Sequence, residues 1–103
     1  MTSAPALTAS VVICVYTEKR WDDIVAAVDS VQAQDVAATE TLVVVDHNPA
    51  LLARAQAALT GPGVRVLPNA NKQGLSGARN TAVAEATGEV VVFLDDDAAA
   101  RPG

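Results

Sequence analysis

Three consecutive aspartates, Asp95, Asp96 and Asp97, follow directly on the apolar run Val90–Leu94. Carboxylates this close repel one another unless something cationic joins them. Residues two apart in an extended chain face the same side, so Asp95 and Asp97 converge. Converging carboxylate oxygens at the exit of a strand are hard donors suited to Mg2+ or Mn2+. The plainer alternative is a solvated acidic turn. The preceding run, VVVFL, reads as a strand buried on both faces.

A second group of chemistry-bearing residues lies in Gly74–Asn80, GLSGARN. It reads as the start of a helix, where free N–H groups and a partial positive charge favour an anion. Gly74 and Gly77 permit close backbone approach. Arg79, one turn in, is placed to reach a phosphate or an acidic neighbour. The alternative is that Gly77 only packs the helix on the sheet and Arg79 pairs with an aspartate of the cluster. Two further stretches end in polar groups: SVVICVY runs into Tyr16, Thr17 and Glu18, and ETLVVVD ends on Asp46. An acid at the second strand's exit suits hydrogen bonds from a base or ribose. Tyr16 suits stacking on a flat base, or ordinary packing. A metal-binding acid cluster beside an anion-accepting helix end suits a ligand that carries a diphosphate.

The elements that must position these groups alternate. Ser10–Tyr16, Glu40–Asp46, Val64–Leu67 and Val90–Leu94 read as predominantly apolar, β-branched strands, the third broken at Pro68. Between them lie three helices. Trp21–Gln34 carries an apolar stripe at Trp21, Ile24, Val28 and Val31, with Asp22 and Asp23 in its first turn. The second opens with Asn48 as N-cap and Pro49 at its first position, carries Leu51, Leu52, Ala55 and Leu59, and stops at Gly61-Pro62-Gly63. Leu75–Thr87 is the third, with Gly88 as its C-cap. Cys14 reads as a small core side chain, Trp21 as an anchor on the sheet and His47 as a polar turn residue. Such alternation implies a parallel sheet with helices on both faces, a Rossmann-like α/β fold. In strand order 3-2-1-4 the switch point lies between the first and fourth strands. Tyr16–Glu18, Asp46 and Asp95–Asp97 then meet at one crevice.

Bulk properties narrow the function classes. The chain has 103 residues and a formal net charge of −5, with 12 Asp and Glu against 7 Lys and Arg, which argues against a nucleic-acid-binding surface. A single cysteine excludes an internal disulfide framework and fits a reducing, cytoplasmic setting. No apolar run approaches the roughly 20 residues of a membrane-spanning helix, and MTSAPALTAS lacks the features of a signal peptide. Residues 1–9 read as a flexible leader and 10–103 as one unit.

The sequence resembles the family 2 glycosyltransferases of the GT-A fold. SVVICVYTEKRW is similar to their first strand and loop, and LVVVD to their second strand with its terminal nucleotide-binding acid. NKQGLSGARNTAVAEATGE resembles their N-x-x-G-x-x-x-A-R-N helix, and VVVFLDDDA the strand that ends in their DxD motif. The resemblance implies the N-terminal half of a GT-A fold that binds a nucleotide-sugar donor of the UDP type, with Mg2+ or Mn2+. By the same resemblance Tyr16 lies in the loop lining the base, Asp46 binds the base and Arg79 supports the nucleotide. Asp95 and Asp96 then lie by the ribose and diphosphate, with Asp97 the direct metal ligand. The family often has Pro-Thr-Tyr-Asn where this chain has Cys14-Val15-Tyr16-Thr17, and Asp-Asp-Gly-Ser where it has Asp46-His47-Asn48-Pro49. The family's domain continues past its DxD motif into an acceptor half that supplies the catalytic base. No residue present is therefore expected to be that base, and the 103 residues alone are expected to be inactive. Half a sheet leaves the fourth strand's outer edge open, which predicts a homodimer through that edge. Two alternatives are a nucleotide-binding or interaction module without turnover, and a Mg2+-binding receiver-like domain. The absence of any Lys after Lys72 counts against the latter.

Overall fold

The computed structural model describes residues 8–32, 40–61 and 63–94. In chain order these form β1 (Ala9–Val15), a 3-10 turn (Glu18–Arg20), α1 (Trp21–Gln32), β2 (Glu40–Val45), α2 (Pro49–Ala58), β3 (Val64–Pro68), α3 (Leu75–Glu85) and β4 (Val90–Leu94). The four strands make one sheet in the order β3-β2-β1-β4, with every pairing parallel. This is the α/β architecture and strand order expected from the alternation of elements.

The pleat sorts the strand residues onto two faces. Ile13, Val15, Val43 and Val45 point towards α1 and α2, where Ile24, Ala27, Val28, Leu51, Ala55 and Leu59 meet them. Val12, Leu42 and Val44 point the other way, onto Ala78 and Ala82 of α3. β2 is central and buried throughout. Each fully buried Val, Leu or Ile contributes about 1.5–3 kcal/mol relative to exposure, so these two layers dominate the stability. Trp21 packs against the first layer as an anchor, with the Arg54 guanidinium 4.0 Å above its ring. Asn48 caps α2 as expected: its side chain accepts from Leu51 N–H at 3.1 Å, and Pro49 follows.

Several expectations need correction. α3 stops at Glu85, with Ala86 as its C-cap, rather than running to Thr87 and Gly88. The cause is competition for the backbone. Thr87 N–H donates to the Glu40 carboxylate at 2.6 Å and Gly88 N–H to Ser10 Oγ at 2.8 Å. Gly88 is required there for a close approach, since a Cβ would collide with the backbone of Ala9 and Ser10. Thr8 and Ala9, read as part of a loose leader, belong to the sheet: Ala9 pairs with Val90, and Thr8 accepts from Val90 N–H at 3.0 Å. Glu18–Arg20 form a 3-10 turn capped by the Thr17 side chain. β4 exists where expected but is not buried on both faces. It is an edge strand among the described residues, and Val90, Val92 and Phe93 are exposed. The end of the first helix at Gln34 and the segment from Asp95 onward lie outside the described residues.

Candidate functional site

The exits of β1, β2 and β4 and the first turn of α3 surround a cleft of about 320 Å³. Val12, Cys14, Val15 and Tyr16 line it from β1, and Phe93 and Leu94 from β4. Asp46 lines it from the end of β2, Leu75, Ala78 and Arg79 from α3, and Arg20 from the 3-10 turn. The cleft therefore sits where β1 parts from β4, the switch point at which open parallel sheets bind ligands.

Register explains the convergence. Val15 pairs with Val45 and Val45 with Pro68, so Tyr16, Asp46 and Asn69 follow side by side at the strand exits. The ladder continues through them, since Asp46 N–H donates to the Val15 carbonyl at 2.8 Å and Asn69 N–H to the Val45 carbonyl at 2.9 Å. Asp46 continues the alternation of Leu42 and Val44, and Tyr16 that of Val12 and Cys14, so both fall on the α3 side.

Asp46 is held from two directions. Its Oδ1 accepts from Asn69 Nδ2 at 2.9 Å and its Oδ2 from Gly74 N–H at 2.9 Å. Both donors are neutral, and a carboxylate has about four lone-pair sites, so acceptor capacity remains on the cleft side. Gly74 reaches this position at φ 122°, a conformation that glycine adopts without strain. Gly77 lies against the carbonyl of Lys72, where a Cβ would collide. It thus packs the helix start on the preceding loop rather than on the sheet.

Of the residues singled out in the sequence, Tyr16, Asp46 and Arg79 are brought together. Tyr16 is 59% exposed, with its ring available to a flat ligand, and its carbonyl accepts from Asn48 Nδ2 at 3.2 Å. The Arg79 guanidinium lies 5.0 Å from the Phe93 ring centroid, a cation–π contact. Gly74 stands behind Asp46 as a backbone donor. Thr17 and Glu18 do not line the cleft: Thr17 caps the 3-10 turn, and Glu18 pairs with Arg54 of α2 at 3.5 Å. Asp95, Asp96 and Asp97 lie outside the described residues, although Leu94, the residue before them, lines the cleft. Among the described residues, no group of three or more His, Cys, Asp or Glu is placed to hold a metal ion.

Four lining or supporting residues were not foreseen as site residues. Cys14, expected in the core, is half-buried and forms part of the cleft wall. Arg20 and Phe93 lie in family-like blocks without a role of their own and Asn69 lies outside them, but strand parity is a signal for Phe93 and Asn69. His47 is a turn residue as expected, at φ 48°, with Nε2 donating to the Asn71 carbonyl at 2.9 Å.

Comparison with known proteins accords with this geometry. Residues 10–103 match glycosyl transferase family 2. The chain is 35% identical over 97 residues to the glucosyl-dolichyl phosphate glucuronosyltransferase of Haloferax volcanii, covering 93% of this chain and 31% of that protein. It is 36% identical over 85 residues to the succinoglycan biosynthesis protein ExoO of Rhizobium meliloti, covering 79% of this chain and 23% of that one. The crystal structure of S. aureus TarS 1-349 superposes with a TM-score of 0.70 at 26% identity, over 88% of this chain and 28% of that one. The chain thus spans about a third or less of each of these relatives. A receiver-like domain is set aside as well, because there the first strand lies between the second and third, whereas here β1 lies between β2 and β4. On the match of 10–103, the shared sheet order and these relatives, the chain belongs to glycosyl transferase family 2.

Proposed function

We propose that these residues form the donor-binding part of a metal-dependent, inverting glycosyltransferase that uses a UDP-sugar and an acceptor hydroxyl. The observation that carries the reading is the switch-point cleft, in which the oriented Asp46 carboxylate, the open Tyr16 ring and the Arg79 guanidinium face one space. In this reading Tyr16 stacks on the base and Asp46 accepts a base N–H. Arg79 and Arg20 bring positive charge towards the diphosphate. Asp95 and Asp96 lie by the ribose and diphosphate. The carboxylates of Asp97 and Asp95 are the oxygen donors that Mg2+ or Mn2+ takes, which fits the acid-only composition of that triplet. When bound, the cation neutralises diphosphate charge and improves the nucleotide as a leaving group.

Attack by the acceptor hydroxyl on the anomeric carbon needs a base. We place that base in the part of the relatives that this chain does not cover, so the 103 residues alone bind donor without transferring sugar. A cytoplasmic setting accompanies this reading. The outer edge of β4, unpaired among the described residues and with Val90, Val92 and Phe93 exposed, supports pairing with a second copy. Sedimentation is expected to show a dimer at high concentration, and a clean monomer would contradict it.

Calorimetric titration with UDP tests the donor reading. UDP is expected to bind in the presence of Mn2+, and Asp97→Ala to weaken binding by about tenfold or more, roughly 1.4 kcal/mol. Affinity unchanged by chelator would remove the metal assignment, and absence of any nucleotide binding would remove the donor reading.

A further inference from the structure

Asn69 lies outside the family-like motifs of the sequence, yet it is 7% exposed and uses every hydrogen bond an amide can make. Its Oδ1 accepts from Asn71 N–H at 2.8 Å and from Thr81 Oγ1 of α3 at 2.8 Å. Its Nδ2 donates to the Lys72 carbonyl at 2.9 Å and to Asp46 Oδ1 at 2.9 Å. Two of these partners are backbone groups with fixed roles. Asn71 N–H can only donate and the Lys72 carbonyl can only accept, so the amide has one allowed orientation. Asp46 Oδ1 must therefore meet an N–H. Thr81 strengthens this lock: it is buried, and its hydroxyl also accepts from Ala70 N–H at 3.1 Å and Asn71 Nδ2 at 2.9 Å.

We infer that Asn69 is a positioning residue that sets the base selectivity of the cleft by fixing the rotation of the Asp46 carboxylate. The inference rests on the donor reading given above. With Oδ1 tied to Asn69 and Oδ2 to the Gly74 N–H, the rotation of the Asp46 carboxylate is fixed and one lone pair on each oxygen remains. A carboxylate so fixed accepts from a ring N–H at one place. Uracil presents a donor at its ring N3, where cytosine presents an acceptor, so the fixed carboxylate favours UDP over CDP. Released from Asn69, the carboxylate can turn to the neighbouring exocyclic amino group of cytosine, and the preference falls. Loss of loop packing alone would weaken both nucleotides together and leave their ratio in place.

The test is the ratio of UDP to CDP affinity, measured by calorimetry with Mn2+ on the 103-residue chain and on two variants, with folding followed by circular dichroism. Asn69→Asp keeps the shape and replaces the Nδ2 donor with an acceptor. Asn69→Ser removes the group that reaches Asp46 and leaves a small hydroxyl. The parent is expected to prefer UDP by about tenfold or more, the cost of an unmatched acceptor pair. Either folded variant is expected to bring the ratio to within about twofold of unity. A folded variant that keeps the parent ratio would overturn the inference and leave the donor reading standing. A parent that binds both nucleotides equally would do the same. A parent that binds neither would overturn the donor reading, and the inference with it.

Discussion

Strand β2 begins with one carboxylate and is followed directly by another, and the two are treated in opposite ways. Glu40, its first residue, is 6% exposed and accepts from Ser10 Oγ at 2.7 Å, Thr87 N–H at 2.6 Å, Thr87 Oγ1 at 3.0 Å and Arg65 Nη1 at 3.1 Å. Arg65 also reaches Glu85, tying β3 and the end of α3 to the same knot. Asp46, one residue past the strand's other end, has two neutral donors and faces a cleft. A buried carboxylate that accepts from four donors serves the fold. One that is oriented but only half used is available to a ligand. The sheet thus places its fully engaged acid at the amino ends of the strands and the acid that faces the cleft at the carboxyl ends.

Breaking the Glu40 end should produce the largest effect. Glu40→Ala leaves the buried donors of Ser10 and Thr87 without their acceptor, while Arg65 keeps Glu85, at a cost of about 3 kcal/mol, read by urea denaturation. The same carboxylate governs acid stability. Burial pushes its pKa up, but the hydrogen bonds from Thr87, Ser10 and Arg65 outweigh that and hold it at about 2, against 4.5 ordinarily. The unfolded chain binds the proton first, so this contribution is complete above pH 4.5 and is lost as pH falls towards 2. It amounts to about 3 kcal/mol, and Glu40→Gln should flatten that acid limb.

The Asp46 end should give a smaller effect of a different kind. Asp46→Ala is expected to cost about 1 kcal/mol in stability, because only the neutral donors of Asn69 and Gly74 lose a partner. UDP affinity should fall by about tenfold or more, roughly 1.4 kcal/mol. A variant that unfolds as readily as Glu40→Ala, or that binds UDP like the parent, would erase the distinction between the two acids.

Much of the fold and part of the cleft were legible because they depend on period and topology. Uncharged runs such as SVVICV and LVVV alternate with helical stripes, and this dictates a parallel sheet whose switch point gathers Tyr16 and Asp46. The Glu40 knot was not legible, because its partners Ser10 and Thr87 lie 30 and 47 residues away and carry no motif. That knot also explains the misplaced end of α3, since Thr87 serves Glu40 instead of the helix. The position of Glu18 was not legible because nearness to Tyr16 in sequence says nothing of direction, and the 3-10 turn places it against Arg54. The apolar composition of VVVFL disclosed a strand but not its place at the sheet edge. Asn69 was hidden in a polar loop, where only the β2–β3 register puts it beside Asp46.

The central claim is that a nucleotide occupies the cleft between the exits of β1 and β4. Amide chemical-shift mapping of the 15N-labelled chain, titrated with UDP in the presence of diamagnetic Mg2+, tests it most directly. Shifts are expected to cluster at Tyr16, Asp46, Gly74, Leu75 and Arg79, with Ser10, Glu40 and Thr87 at the opposite strand ends unmoved. Shifts confined to those opposite ends, or to the hollow bounded by Trp21, Val25 and Leu59, would contradict it.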